Sequence, residues 1–468
     1  MPEDPRLARR NYAIGGLTVD NRPLSNSRPD MKTPAMGGRL PLICIRCDNA
    51  DHPAGLPGAG TVTISCAVAA WNPAPTRTAH HGDPSGNSDM TGDAHHGGRI
   101  LSVDALRGGA ILAIIGADGM ARALKQMGGD GDGAFAAFAR FLGIQFSHAP
   151  WDGLRFYDLI FPLFLFTVGL AVPPSLAKRR EGAARGAAFS RITRRALVLF
   201  VLGIAYYAWP PRDAWHEIKL AGVLQRIALC YFAAAVLFLW LSPRAIAVVT
   251  AVLVAAYAVL LELVVLPGSH SGPYDPAMNL AMWVDMHWLP GRKHYGNWDP
   301  EGLLTTLPAV TSTLIGVVAG GLLLRADLTP AARALYFAGA GLLLLLAGTA
   351  LSWQVPIIKN MWTASYVLVA GGWCLIALAL AYAIIDIAGR HRWAMPAVWV
   401  GANAILIYLL DRFVDFDGIF LTLFGDIAVM LDGLAGPGGA RLVANLAGLC
   451  LAVAIAWALY VNRVFLRV

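Results

Sequence analysis

From Ile100 onward, apolar runs of helical length follow one another, separated by short polar links, and this recurrence restricts the chain to a multispanning membrane bundle. The runs are 101–123, 158–177, 194–210, 220–241, 245–266, 303–324, 334–352, 362–386, 396–412 and 442–463. Each is near the roughly 20 residues a helix needs to cross the hydrocarbon core. A further apolar piece, 418–433, is short and carries Asp426 and Asp432, so it reads as an interfacial or re-entrant helix. The expected fold is all-α: a polytopic bundle of about ten transmembrane helices plus that extra helix. Composition agrees. With 56% hydrophobic and 14% charged residues over 468 positions, the chain has more apolar surface than a water-soluble protein needs.

The first ninety-odd residues differ. They are rich in Pro, Gly, Asn and Asp and show no sustained period, so residues 1–98 read as a disordered tail ahead of a membrane domain at 99–468. The stretch 61–71 is too short and polar to span, and no signal-peptide pattern accompanies it. Met90 immediately precedes the organised part, which also fits a start assigned too early. Cys44, Cys47, His52 and Cys66 lack the spacing of a second ligand pair, so no metal is expected. Cys230, Cys374 and Cys450 lie in apolar runs and read as small hydrophobes, with no disulfide expected.

The net charge of +7 does not imply a nucleic-acid partner, because basic residues cluster between apolar segments. They read as orientation signals toward a lipid bilayer. After the second run, Lys178, Arg179, Arg180, Arg185, Arg191, Arg194 and Arg195 face a single acid, Glu181, which makes that loop cytoplasmic. Alternation puts Arg244, Arg325, Arg333, Arg390, Arg392, Arg463 and Arg467 on the same side. Both termini of the bundle are then cytoplasmic, and the acid-rich stretch 411–432 is outside. Loops 124–157, 211–219, 267–302 and 353–361 are also outside.

This map gathers ionisable groups from separate segments at the outer level. His148-Ala-Pro-Trp151-Asp152-Gly153 lies in a polar loop just before the second run. An imidazole there suits proton transfer near neutral pH, although Trp, His and Asp also serve as interfacial anchors. Asp118 and Arg122 end the first run one helical turn apart, Gln225 and Arg226 begin the fourth, Asp299 and Glu301 precede the sixth, and Lys359 and Thr363 flank the eighth. Charges at membrane depth are expensive, so such groups are functional or pair to hold helices together. At the inner end, Asp104 and Arg107 share a helix face. They either neutralise each other or offer an arginine to the phosphates of a soluble cofactor.

In order along the chain, several motifs resemble those of a known family. They are Ser102-Val-Asp104-Ala-Leu-Arg107-Gly108, the His148 loop, Asp158-Leu-Ile-Phe-Pro162 and Gly222-Val-Leu-Gln225-Arg226. Next come Asp299-Pro-Glu301-Gly302-Leu-Leu-Thr-Thr306-Leu-Pro308, Met361-Trp362-Thr363-Ala-Ser365-Tyr366 and Gly401-Ala-Asn403-Ala404. Together they resemble the bacterial relatives of heparan-alpha-glucosaminide N-acetyltransferase, within the transmembrane acyltransferase superfamily. The resemblance covers Arg99 to the C-terminus. It implies a multi-pass protein of the bacterial inner membrane, often dimeric, that moves an acetyl group from cytoplasmic acetyl-CoA to an amine or hydroxyl of an extracytoplasmic sugar or glycan. By position His148 matches the family's essential loop histidine. Asp118 stands where the lysosomal relative has asparagine, a departure from the family's pattern.

In that reading His148 is a general base, with Asp118 or Asp152 orienting it. Asp104 and Arg107 hold acetyl-CoA. Trp151, Gln225, Arg226, Asp299, Glu301, Lys359 and Thr363 line the acceptor side, where Arg226, Lys359 or Thr363 could stabilise an oxyanion. Direct transfer and an acetyl-histidine intermediate both remain open. A transporter or flippase would share the helices and mid-depth polar groups, but no internal repeat is evident. A related acyltransferase family places its histidine within the first run, and residues 101–123 contain none.

Overall fold

The computed structural model describes residues 100–209, 217–267, 269, 270 and 272–466. The tail and its cysteines lie outside the described residues, as does Arg467. Among the described residues the regular elements are helical. The only strand-like pairings among them are two isolated bridges, Asp152 with Ile358 and Lys219 with Gly291.

In chain order the helices are α1 Leu101–Gly128, α2 Ala134–Gln145, α3 Ile160–Leu170, α4 Val172–Leu176, α5 Ala183–Ala208 and α6 Val223–Trp240. Then come α7 Pro243–Leu263, α8 Leu280–Trp288, α9 Leu303–Leu323, α10 Pro330–Leu351 and α11 Ala364–Ala381. The set closes with α12 Met395–Ala402, α13 Ala404–Phe413, α14 Phe416–Leu423, α15 Gly425–Ala435 and α16 Gly439–Val461. A π-helical segment, Tyr382–Ile387, extends α11.

Among the described residues seven stretches are long and apolar enough to cross a membrane, and α12 with α13 makes an eighth if that bent pair counts as one span. The protein is therefore a multi-pass membrane protein. The expected count of ten is met only in part. Helices α1 and α5 stand at the first and third expected positions with sufficient length. However, α1 carries Asp104, Arg107, Asp118 and Arg122, and α5 carries Arg185, Arg191, Arg194 and Arg195. Helix α5 also begins well before the expected 194, so part of the basic loop is helical.

Two helices, α2 and α8, form inside segments read only as loops, and the 418–433 piece is two short helices, α14 and α15. The ninth expected span is bent by 72° between α12 and α13. The cause lies at Asn403, whose amide donates to Val464 O at 3.0 Å and accepts from Leu466 N–H at 3.1 Å. The side chain thereby ties the break to the segment after α16.

Burial sorts inner from peripheral helices. The α3 stretch and α9 are 67% buried over their apolar windows, against 22% for α7 and 17% for α10, whose remaining apolar faces suit lipid. The main core joins Leu165, Phe166, Ala234, Leu314 and Tyr366 from α3, α6, α9 and α11. Helices α1 and α12 touch backbone to backbone. A Cβ on Gly108 would strike Ala397 O, and one on Gly401 would strike Asp104 O. That contact holds Asp104 and Arg107 against the bundle rather than at its rim.

Candidate functional site

The His148 loop is anchored through a single buried carboxylate. Asp158 sits in the 3-10 turn Phe156–Leu159 that leads into α3, and its side chain has no solvent exposure. One carboxylate oxygen lies 2.8 Å from His148 Nδ1. The other accepts N–H bonds from Ala149 at 3.1 Å and Arg155 at 3.0 Å. Its backbone carbonyl accepts the buried Tyr366 hydroxyl at 2.6 Å. The Arg155 side chain closes the loop by donating to His148 O at 2.7 Å. The imidazole stacks on Tyr157, ring centroids 4.3 Å apart, and remains about half exposed, at 49%. Donation of Nδ1–H to Asp158 fixes the tautomer and leaves the Nε2 lone pair for other work.

Facing the imidazole is Lys359, on the turn between α10 and α11. Its Nζ is 2.9 Å from both ring nitrogens of His148 and 3.8 Å from Asp158. The turn is built from buried polar bonds. Thr363 Oγ1 donates to Pro356 O at 2.8 Å and accepts from Ile358 N–H at 3.1 Å, and Ser365 Oγ donates to Pro356 O at 2.9 Å. Tyr257 OH donates to Met361 O at 2.7 Å. Trp362 has a left-handed φ of 53°, rare for a bulky residue, held by its buried indole donating to Ser312 Oγ at 3.2 Å. Gly153 N–H donates to Ile357 O at 2.9 Å, joining this turn to the His148 loop beside the Asp152–Ile358 bridge. Burial pulls the Lys359 ammonium down to about 8, against the opposing charges of Asp158, Glu301 and Asp118.

A second charged cluster stands alongside. Lys219 is buried, with Nζ 3.1 Å from Asp299 and 3.8 Å from Glu301, and lies 4.8 Å from the Tyr207 ring centre. Asp299 accepts N–H bonds from His294 at 2.8 Å and Glu301 at 3.1 Å. Burial and the neighbouring Glu301 push Asp299 up to about 7. Burial opposes ionisation of Glu301 too, yet Arg226 and Lys219 hold its carboxyl below the ordinary range. Asp285 supports the segment by accepting Asp299 N–H at 3.2 Å and Leu303 N–H at 2.9 Å.

Arg226 is 1% exposed, one turn into α6. Its Nη2 donates to Pro300 O at 2.7 Å and contacts Thr305 Oγ1, while its guanidinium lies 5.0 Å from the Trp362 ring centre. Nε and Nη1 have no partner. Buried donors of that kind are costly unless something else meets them. Gln225 is equally buried, donates weakly to Lys219 O at 3.4 Å and leaves its Oε1 unpartnered.

Arg107 borders a separate cavity of about 320 Å³ shared by α1, α3, α4, α5, α6, α12 and α13. Its Nη2 donates to Thr167 O at 3.3 Å, and its Nη1 is 3.7 Å from Asp104. Thr167 lies roughly 14 Å along α3 from Asp158 at the helical rise per residue. Arg195 joins Arg107 at this cavity, 4.7 Å from the Tyr231 ring centre, with its Nε unpartnered. Phe164, Leu224, Ile227 and Ile405 line both this cavity and a second pinch of about 10 Å³ reaching Val223 and Tyr408. The two voids therefore adjoin across a shared apolar wall. The orphaned Arg195 nitrogen at the cavity fits a phosphate-bearing ligand. Larger clefts of about 670 and 730 Å³ are lined mainly by aliphatic side chains, as expected for grooves that meet lipid. Among the described residues no group of three His, Cys, Asp or Glu side chains could hold a metal ion.

The structure therefore brings His148, Lys359 and Thr363 together, and Arg226, Asp299 and Glu301 beside them. Trp151 braces the rim, its indole donating to Tyr274 O at 2.9 Å with its ring 6.2 Å from Trp298. The carboxylate bonded to His148 is Asp158, not Asp118 or Asp152. Asp152 is exposed and engages Ile358 through its backbone, and Asp118 is an exposed residue of α1 that contributes charge at Lys359. Asp158 opens a motif already singled out, and its signal was an acid leading directly into an apolar run. Lys219, also missed, is the cation that immediately precedes the fourth run.

No family model matches the chain. It is 24% identical over 381 residues to "Heparan-alpha-glucosaminide N-acetyltransferase" of Mus musculus, covering 69% of this chain and 56% of that protein. It is 25% identical over 426 residues to the Homo sapiens protein of the same name, covering 79% of this chain and 60% of that one. The chain thus spans less than two thirds of the length of the curated relatives it matches.

Proposed function

We propose that this chain, a distant relative of heparan-alpha-glucosaminide N-acetyltransferase, moves an acetyl group from cytoplasmic acetyl-CoA to an amine or hydroxyl of an extracytoplasmic sugar. The observation that carries the reading is the His148–Asp158 pair, a half-exposed imidazole oriented by a fully buried carboxylate. Acetyl-CoA cannot cross a bilayer, because its phosphates would have to shed their water. Its thin pantetheine arm would enter the bundle from the cavity bordered by Arg107 and Arg195. These two arginines would hold the nucleotide phosphates.

At the other end, His148 Nε2 takes the proton from the attacking amine or hydroxyl. Asp158 stabilises the imidazolium that forms. The buried guanidinium of Arg226, with two unpartnered nitrogens, and the Lys359 ammonium supply positive charge for the thioester oxyanion. Trp151, Gln225, Asp299 and Glu301 shape the acceptor side, with Lys219 compensating the two acids. Basic residues at Lys178–Arg195 support placing the arginine end in the cytoplasm of a bacterial inner-membrane protein. Homodimer formation is part of the proposal by kinship.

Proteoliposomes holding the purified protein, given labelled acetyl-CoA and a panel of amino sugars, test this reading. Label should appear on one class of sugar and depend on both donor and protein. Transport of a panel member without acetylation would replace it with the transporter reading.

A further inference from the structure

The position of Lys359 has a chemical consequence beyond charge compensation. Its amine touches the imidazole that the reading above makes a general base, 2.9 Å from each ring nitrogen. With Nδ1–H committed to Asp158, the contact that counts is the one to Nε2, the atom that would receive an acceptor's proton. Lys359 therefore stands where an acceptor amine would stand. The turn that carries it is held by Thr363, Ser365, Tyr257 and the left-handed Trp362. The side chain is 15% exposed, and Asp158, Glu301, Arg226 and Asp118 are the other charges acting on it. Lys219 is also buried but is committed to Asp299. Lys125 and Lys178 are exposed and lie far along the chain from this loop.

We propose that Lys359 is an acetylation site of the protein itself, modified by acetyl-CoA whenever the acceptor is absent. This rests on the acyl-transfer reading. His148 Nε2 takes a proton from the ammonium, and the freed Nζ lone pair forms the C–N bond at the thioester carbonyl. The C–S bond then breaks and coenzyme A leaves as its thiol. Of the two protons the amine gives up, one reaches the departing thiolate through the imidazole and one goes to solvent. The product is a neutral amide that fills the space before Nε2, so the site is closed by its own donor. The depressed lysine ionisation favours the step, since a usable share of Nζ is neutral near pH 8.

The test uses the full chain in nanodiscs with deuterated acetyl-CoA, with and without an amino-sugar acceptor, read by peptide mass spectrometry. Without acceptor, label should build up on Lys359 at least about ten times faster than on Lys125 or Lys178, the modest end of general-base assistance. Acceptor should slow it. His148→Ala should reduce labelling of Lys359 to that of the exposed lysines, and His148→Gln serves if the alanine variant does not fold. Unlabelled Lys359 in protein that binds acetyl-CoA overturns the proposal, as does equal labelling in the His148 variant. Failure to bind acetyl-CoA at all overturns the acyl-transfer reading itself, and this proposal with it.

Discussion

His148 and Asp158 are joined at 2.8 Å, a half-exposed imidazole against a carboxylate with no exposure. The same carboxylate holds the loop through Ala149 and Arg155, so orientation of the ring and shape of the loop share one anchor. Asp158→Asn keeps the size of the side chain but can no longer demand Nδ1–H. Acetyl transfer should fall by about 10²-fold or more, with donor affinity retained. Turnover and acetyl-CoA titration on the same preparation check this. Asp118→Asn and Asp152→Asn should cost far less, because neither carboxylate reaches the ring.

At the Arg107 cavity, Arg107→Ala should weaken acetyl-CoA binding by about 1.5–3 kcal/mol, the scale of a charge-assisted hydrogen bond. Arg195→Ala should act similarly. Calorimetric titration with acetyl-CoA and with dephospho-CoA separates phosphate recognition from a general loss of structure. Equal affinity in both variants would return Arg107 to a purely structural pairing with Asp104.

The Lys359 turn predicts a stability effect. Thr363→Val removes the hydroxyl's bonds to Ile358 N–H, Pro356 O and Ser365 Oγ while keeping the shape, and should cost about 1–3 kcal/mol, chiefly by leaving the buried Ile358 N–H without its partner. Because the turn carries Lys359, catalysis should fall as well. Thermal melting and turnover measured together read both effects.

Lys359 also fixes the sign of a pH dependence. Its folded ionisation, about 8, lies below the ordinary 10.5, so between these values the unfolded chain holds the proton that the folded one has lost. Stability contributed by this group therefore rises with pH from about 8 toward 10.5 and is least at lower pH. Lys359→Met should melt higher than wild type near pH 7, with the gap closing as pH approaches 10. A gap that widened would mean the ammonium is stabilised in the fold.

Orientation is open to direct labelling. In a background without native cysteines, Asp152→Cys should react with an impermeant reagent in intact cells, and Gly186→Cys, in the basic segment, should not. The reverse pattern would put the arginine cavity outside and the donor on the wrong side.

Much of the fold could be read from the sequence, because a span of roughly 20 apolar residues is a property of the chain alone. Residues 243–263, 303–323 and 439–461 lie close to the expected runs for that reason. The bend at Asn403 was not legible, since it depends on a bond to Val464 that local sequence does not announce. Helices α2 and α8 were missed because each is short and sits in a segment read as loop. The same division holds at the site. His148 and Lys359 stood out as ionisable groups at one depth, but choosing Asp158 over Asp152 required knowing that the chain turns through Phe156–Leu159 and swings that carboxylate beneath the ring.

The central claim is proton transfer by His148, and the most direct measurement is acetyl transfer by His148→Ala in protein whose folding and acetyl-CoA binding are verified in parallel. The ring stacks on Tyr157 but lies in a half-exposed loop, so its removal empties no large core cavity. Turnover should fall by about 10²–10⁴-fold with donor affinity nearly unchanged. A larger loss, with label trapped on His148 in wild type, would indicate an acetyl-histidine route through the same residue. Near wild-type turnover in a folded variant that still binds acetyl-CoA would contradict the account.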